Sequence, residues 1–248
     1  MKIGLQLYTI REPLGKDFWG TLDKVAAMGY RNVQLAGLFG NKPSDVLKGL
    51  ESRKLKPISP HVGLDDLTKN LDATVRMAKE LNCDRLTLPW IGEATYKAGW
   101  KAVAKQFNEI GQALHSQGLA FSYHNHAFEF AKEDGRPGYD ILFENVNRDL
   151  VQAEIDLYWV QKGEGDPVHY LNLLKEDCPT LHFKDMTKDD EKFFTEVGSG
   201  RLDWAKIIPA AIKARSEYAI VEHDQPRLDP LESVRISREF LVKQGLKD

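Results

Sequence analysis

The sequence alternates short β-like runs with longer amphipathic helical patterns, and this constrains the fold more than any other feature. The runs are "KIGLQLY" (2–8), "NVQLAG" (32–37), "KPISPHV" (56–62), "RLTLPW" (85–90), "LAFSYHN" (119–125), "VQAEID" (151–156), "TLHFKD" (180–185) and "YAIVEHD" (218–224). Between the first two, "DFWGTLDKVAAMGY" places Phe18, Leu22, Val25 and Ala26 at spacings of three and four, which is one face of a helix. "LTKNLDATVRMAKELN" and "KAVAKQFNEIGQALHSQG" repeat that pattern. Gly29 and Gly118 close two of these helices and a strand follows each, as a C-terminal glycine cap predicts. Strands alternating with helices of about 10–15 residues build βαβ units and a parallel sheet. Eight such units in 248 residues have the dimensions of a closed (β/α)8 TIM barrel, an α/β fold. An open doubly wound sheet is the alternative, but "IGLQLYTIREPLG" after the first strand lacks the G-x-G-x-x-G phosphate cradle. No linker, low-complexity tract or shift of composition divides the chain, so a single domain over 1–248 is expected.

Composition excludes several functions. The chain is 42% hydrophobic, enough for a large core, and its net charge is −3 with no basic block, which disfavours a grip on nucleic-acid phosphates. Cys83 and Cys178 lie far apart, with neither a metal-knuckle spacing nor a disulfide framework, and read as buried reduced thiols. "MKIGLQLYTIRE" has no apolar run of signal-peptide length, and Arg11-Glu12 ends it. No stretch approaches the roughly 20 apolar residues of a membrane span. A soluble cytoplasmic protein is expected.

In a barrel of this kind, functional residues sit where strands finish. Chemically capable residues gather there in this sequence. Gln6 and Gln34 come late in the first two runs, and His61 and Trp90 end the next two. The fifth run gives His124 and His126, with Glu129 just beyond, and the sixth ends in Asp156. The seventh carries His182, Lys184 and Asp185, and the eighth Glu222 and His223. Residues two apart share a strand face, so His124 pairs with His126, Glu154 with Asp156, and His182 with Lys184. An inward carboxylate in an apolar strand such as "AIVEHD" is costly unless it is paired or binds a metal. Several strands bearing that cost at one rim share an explanation in a divalent cation. Taken singly, His61 reads as a hydrogen-bonded core residue, and Asp156 or Glu222 as a rim ion pair with Lys184 or Arg227. His115 and His169 read as surface residues.

"YHNHAFEF", "EIDLYWV", "LHFKDM", "EVGSGRLDW" and "AIVEHD", in this order, resemble the sugar phosphate isomerase/epimerase group of the xylose isomerase-like TIM-barrel superfamily. The likeness runs from "IGLQLYTIRE" to "VEHD". It implies one divalent metal ion, Mn²⁺, Co²⁺, Mg²⁺ or Zn²⁺, held by residues from the fifth to eighth strands. Asp156, His182 and Glu222 match three of the ligands. Epimerases of the group carry a glutamate in the fifth strand where this chain has His124, so Glu129 is taken as the first ligand and His124 as the alternative.

A set of carboxylates with one imidazole suits those metals. The ion would act as a Lewis acid on a sugar oxygen. The implied activity is that of a metal-dependent isomerase or epimerase acting on a keto-sugar or related polyol through a metal-bound enediolate. A lyase of the same family, an inosose dehydratase or a 3-keto-glycoside eliminase, is the alternative. His126 and Glu222 are the candidate bases, with His124 or His61 as a proton partner, since an imidazole near neutrality can switch roles. His61, Trp90, Lys184, Glu196 and Arg201 are expected to face the substrate, with Tyr8 and Phe128 also able to wall the pocket. Asp203 reads as a helix N-cap after the glycine-bearing loop "TEVGSG". The expected partner is a small-molecule sugar, not nucleic acid or membrane, and a homo-oligomer is allowed.

Overall fold

The computed structural model describes residues 1–247. Its eight main strands are β1 (Lys2–Gln6), β2 (Asn32–Gln34), β3 (Lys56–Ile58), β4 (Arg85–Leu88), β5 (Ala120–His124), β6 (Gln152–Asp156), β7 (Thr180–Phe183) and β8 (Tyr218–Val221). They form one sheet in the order β3-β2-β1-β8-β7-β6-β5-β4, with every neighbouring pair parallel. The two ends of that order meet through a single bridge, His61 with Thr87. Val62 N donates to Thr87 O at 2.9 Å and Thr87 N to Pro60 O at 3.0 Å. The result is a (β/α)8 barrel with one thin seam.

Every expected strand is present, though β2 and β3 are shorter than their apolar runs. Ser59 adopts a positive φ of 35°, which no strand tolerates, and ends β3 at Ile58. That turn carries the next residues from β2 towards β4, and His61 is where the wall closes. Helices cover the outside. The segment after β1 is α1 (Arg11–Lys16) and α2 (Phe18–Ala27), and α2 buries Phe18, Leu22 and Val25 as its spacing predicts. "LTKNLDATVRMAKELN" begins in the last residues of one helix, Leu64–Thr68, and continues as a second, Leu71–Glu80. Gly29 and Gly118 take φ of +100° and +76°, the left-handed values a glycine cap requires.

Alternation sorts the strands into two very different faces. Leu5, Val33, Leu86, Phe121, Ile155 and Phe183 point out under the helices and belong to the main hydrophobic core. The inward face holds a small apolar floor of Ile58, Tyr218 and Ile220. Above it the interior is polar and buried: Gln6, Gln34, Thr87, Ser122, Glu154, Thr180 and His182. Most barrels fill that space with branched aliphatics. This one fills it with hydrogen-bonding groups, and they lead upward to the C-terminal mouth.

The helix Trp100–His115 lies so close to the chain entering β6 that a Cβ on Gly111 would sit 2.5 Å from the Leu150 carbonyl oxygen. Backbone cannot yield there as a flexible side chain would. Gly111→Ala is therefore expected to destabilise the fold by about 1–3 kcal/mol, outweighing a helix-propensity gain of about 1 kcal/mol. Chemical denaturation checks the sign.

Candidate active site and metal centre

Local backbone chemistry aims the polar side chains. Asp156 ends β6 and caps the helix Leu157–Lys162 through Oδ1, which accepts from Trp159 N at 3.0 Å. That bond fixes the carboxylate and leaves Oδ2 facing the mouth. Asn125 sits between the two histidines of "YHNH". Its Oδ1 accepts from Asp156 N at 3.0 Å and its Nδ2 donates to Asp156 O at 3.3 Å, tying the end of β5 to β6. His124 and His126, on either side, both line the cavity at the mouth.

Among the described residues, two groups of side chains lie close enough to hold a metal ion: His124, Asp156, His182 and Glu222, and deeper in the barrel His61, His124, Glu154 and His182. At the mouth, His182 Nδ1 is 2.6 Å from Glu222 Oε2, and His124 Nε2 is 3.6 Å from Asp156 Oδ2. The Lys184 ammonium lies 2.9 Å from Asp156 Oδ2, 2.7 Å from Glu222 Oε2 and 2.9 Å from Asp224 Oδ1. On the inner side, Glu154 Oε1 faces His61 Nε2 at 2.7 Å and His182 Nε2 at 3.0 Å.

These contacts shift the titrations strongly. Burial opposes a charge on His182, but Glu154 and Glu222 overcome it and push its pKa up to about 10. Burial also favours the acid form of Glu222, yet Lys184 and His182 hold its pKa well below the usual range. Asp156 is raised to about 6 by burial, with Lys184 pulling the other way. Burial, then His182, lowers His124 well below an ordinary imidazole. His126 falls to about 3 through burial and the nearby Lys184. His126 is thus a neutral imidazole at physiological pH, rather than one poised near neutrality as the sequence led us to expect.

A cavity of about 480 Å³ opens above this cluster, lined by Tyr8, His61, Trp90, His126, Lys184 and Glu222, among others. Trp90 is 55% exposed, and its ring is open to stack on a ligand. Phe128 stacks behind His126, with centroids 6.0 Å apart and planes 11° apart.

Three expected site residues lie elsewhere. Glu129 belongs to neither metal-capable group. Its Oε1 accepts from Tyr123 OH at 2.7 Å and its Oε2 from His126 N at 2.9 Å. A short 3-10 turn, Phe128–Phe130, swings it to the outer side of β5, where Tyr123 packs on Phe107, and burial raises its pKa to about 7. Glu196 and Arg201 do not line the cavity. Glu196 faces His223, and the Arg201 guanidinium donates to Lys188 O at 2.7 Å. The glycine loop instead wraps Asp185, whose carboxylate accepts from Gly198 N, Gly200 N, Leu202 N and Trp204 Nε1. Asp203 caps the following helix, as expected.

Sequence reasoning noted Gln6, Gln34 and Glu154 near the strand ends without giving them a role, and it passed over Asp224. The signal for Glu154 was present, since it sits two before Asp156 and must share its face. Asp224 bears the same relation to Glu222.

The donors at the mouth fit a divalent ion. Two carboxylates and two imidazoles form a mixed oxygen–nitrogen set for Mn²⁺, Co²⁺ or Zn²⁺. Asp156 Oδ2 is buried, with the Lys184 ammonium at 2.9 Å and His124 Nε2 at 3.6 Å as its neighbours. With Glu154 and Asp224 included, four carboxylates meet one ammonium and one imidazolium, an excess of two negative charges when all are ionised.

The chain belongs to the xylose isomerase-like TIM barrel family, whose profile matches residues 22–244. It is similar to the inosose dehydratase of Lactiplantibacillus plantarum, with 23% identity over 279 aligned positions covering 94% of this chain and 91% of that protein. A sugar phosphate isomerase/epimerase from Parabacteroides distasonis has a TM-score of 0.85 and 26% identity over 98% of both chains. An IolI protein solved with zinc shares the fold at a TM-score of 0.76 and 14% identity, over 98% of this chain and 97% of that one. No helix of the described residues is long and apolar enough to cross a membrane.

The His182 shift fixes a pH dependence for the metal-free protein. Its folded pKa of about 10 lies above the ordinary 6.5, so the imidazolium contributes stability that is complete below about 6.5 and lost as pH climbs through about 10. Thermal melts of chelator-treated protein across that window are expected to fall, and His182→Asn is expected to flatten the slope.

Proposed function

We infer that this chain is a divalent-metal-dependent sugar isomerase or epimerase acting on a keto-sugar or related polyol. One observation carries the reading: Asp156, His182, Glu222 and His124 converge within 4.8 Å beside a cavity of about 480 Å³ at the barrel mouth. The ion is assigned to these four. His124 takes the first-ligand place in preference to Glu129, whose oxygens are occupied by Tyr123 and His126 N. The zinc of the IolI protein, which shares the fold, supports a divalent ion here. When bound, such an ion supplies Lewis acidity to a sugar carbonyl.

The remaining steps belong to side chains. Trp90 and Tyr8 hold the sugar by stacking and shield it from water on one side. Lys184, kept charged by Asp156, Asp224 and Glu222, offers its ammonium to a substrate hydroxyl or to developing oxyanion charge. His126 is neutral and lines the cavity, so it can take the proton from a carbon beside the carbonyl. Its low basicity rises as negative charge develops on the substrate next to it. Glu222 is the second base, and His61 or His124 the relay. Return of the proton to the neighbouring carbon isomerises the sugar, and return to the opposite face epimerises it.

A second reading, a lyase that expels hydroxide from the same enediolate, is favoured by the similarity to inosose dehydratases. Substrate is a small sugar in both cases, and the net charge of −3 argues against a nucleic-acid partner.

Incubation of the metal-loaded protein in D₂O with a panel of keto-sugars and cyclitols separates these readings by NMR and mass. Deuterium uptake with the mass otherwise kept is expected, and loss of water selects the lyase. Asp156→Asn and His182→Ala are expected to lose metal and turnover together. His126→Ala should keep its metal and lose about 10²–10⁴-fold in turnover. If His126→Ala empties the site, the base assignment fails.

A further inference from the structure

Glu154 is faced by three imidazoles inside the barrel, and the reaction above gives it no role. It is completely buried. Its Oε2 accepts from Gln34 Nε2 at 2.7 Å and Thr180 Oγ1 at 2.8 Å. Three imidazole nitrogens face its Oε1: His61 Nε2 at 2.7 Å, His182 Nε2 at 3.0 Å and His124 Nδ1 at 3.3 Å. His182 and His124 turn their other nitrogens to the mouth, Nδ1 towards Glu222 and Nε2 towards Asp156. Each ring therefore spans from Glu154 on the inside to the carboxylates that take the ion. An imidazole can ligate only through a nitrogen that lacks a proton, so its tautomer decides which way it can bind.

Two backbone groups settle the direction of this network. Gln6 Oε1 accepts from Tyr8 N at 3.1 Å, so Gln6 Nε2 is the donor to His61 Nδ1 at 3.2 Å. His61 then carries its proton on Nε2 and gives it to Glu154. Gln34 Nε2 donates to the Ser59 carbonyl at 2.9 Å, which leaves Gln34 Oε1 to accept from His182 Nε2 at 2.7 Å. His182 thus bears a proton on Nε2, and Gln34 Oε1 and Glu154 Oε1 both receive it.

We propose that Glu154 is a positioning residue: its carboxylate accepts from the inner nitrogens of His61 and His182 and stands 3.3 Å from Nδ1 of His124, and so presents Nδ1 of His182 and leaves Nε2 of His124 facing the ion at the mouth. Gln6 and Gln34 transmit the same polarity from the backbone. Carboxylates behind metal-binding histidines act this way in general, and their loss weakens binding about 10–100-fold. The inference rests on the mouth being a metal site, and it assigns Glu154 to orientation rather than to a second ion in the deeper group.

Two measurements test it. In protein labelled with ¹⁵N-histidine and loaded with Zn²⁺, long-range ¹H–¹⁵N spectra are expected to show the proton on Nε2 of His61 and His182, with the zinc-induced shift on Nδ1 of His182. A proton on Nδ1 of either ring overturns the proposal, and this needs no variant to fold. Co²⁺ titration of metal-free protein is expected to show one equivalent, bound about 10–100-fold more weakly by Glu154→Gln and with altered visible bands. Unchanged affinity and spectrum in Glu154→Gln also overturn it. So does uptake of two equivalents by the wild type with one lost in the variant, which would make Glu154 a ligand. A wild-type protein that takes up no Co²⁺ sinks the metal reading itself. In that case the His61 tautomer of the metal-free protein still decides whether the network fixes the imidazoles.

Discussion

Charge burial governs this molecule. Glu154, Asp156, Glu222 and Asp224 lie inside or at the mouth of a barrel, where an uncompensated carboxylate is prohibitive. The fold meets that demand from within. Lys184 touches three of the four, and His182 bridges Glu154 to Glu222 through its two nitrogens. Removing either cation would strand several carboxylates at once, so the charges form one unit rather than a set of pairs. A negative excess of two charges remains at the mouth when all of these groups are ionised.

Small backbone devices place that unit. Asp156 serves a helix end with one oxygen and the mouth with the other. Asn125 bolts β5 to β6 where ladder pairing stops. Asp185, the residue after Lys184, gathers the glycine loop by accepting its amides, and this holds the end of the seventh strand segment in place. Each of these residues fixes the direction of a side chain or strand end at the mouth.

Much of this was legible in the chain, for reasons that differ by residue. The strands showed themselves because their outward faces are continuously apolar, as with Leu5, Ile155 and Phe183, and because glycine caps such as Gly29 punctuate the helices. Asp156, His182 and Glu222 stood out as polar residues ending apolar runs. Glu129 misled by proximity: three residues from His126 in sequence, it is turned by a 3-10 segment towards Tyr123, whose alternation from His124 already placed it on the other face. Glu196 and Arg201 depended on where a loop folds, and that is set by Asp185 rather than by the loop's own residues. The short β3 was hidden because a serine, not a glycine, takes the left-handed turn at 59. The amide directions of Gln6 and Gln34 could not be read, since they depend on Tyr8 N and Ser59 O reached through the folded barrel.

The thin join between β3 and β4 has a consequence of its own. Every other stave is laced to its neighbours by a ladder, whereas this one hangs on the bridge between His61 and Thr87. Local opening begins where the fewest backbone bonds must break. His61 sits on that join and also holds Glu154, so slackening of the cylinder would reach the inner imidazoles before any other part of the wall. The barrel's weakest stitch and the carboxylate that three imidazoles face are one contact apart.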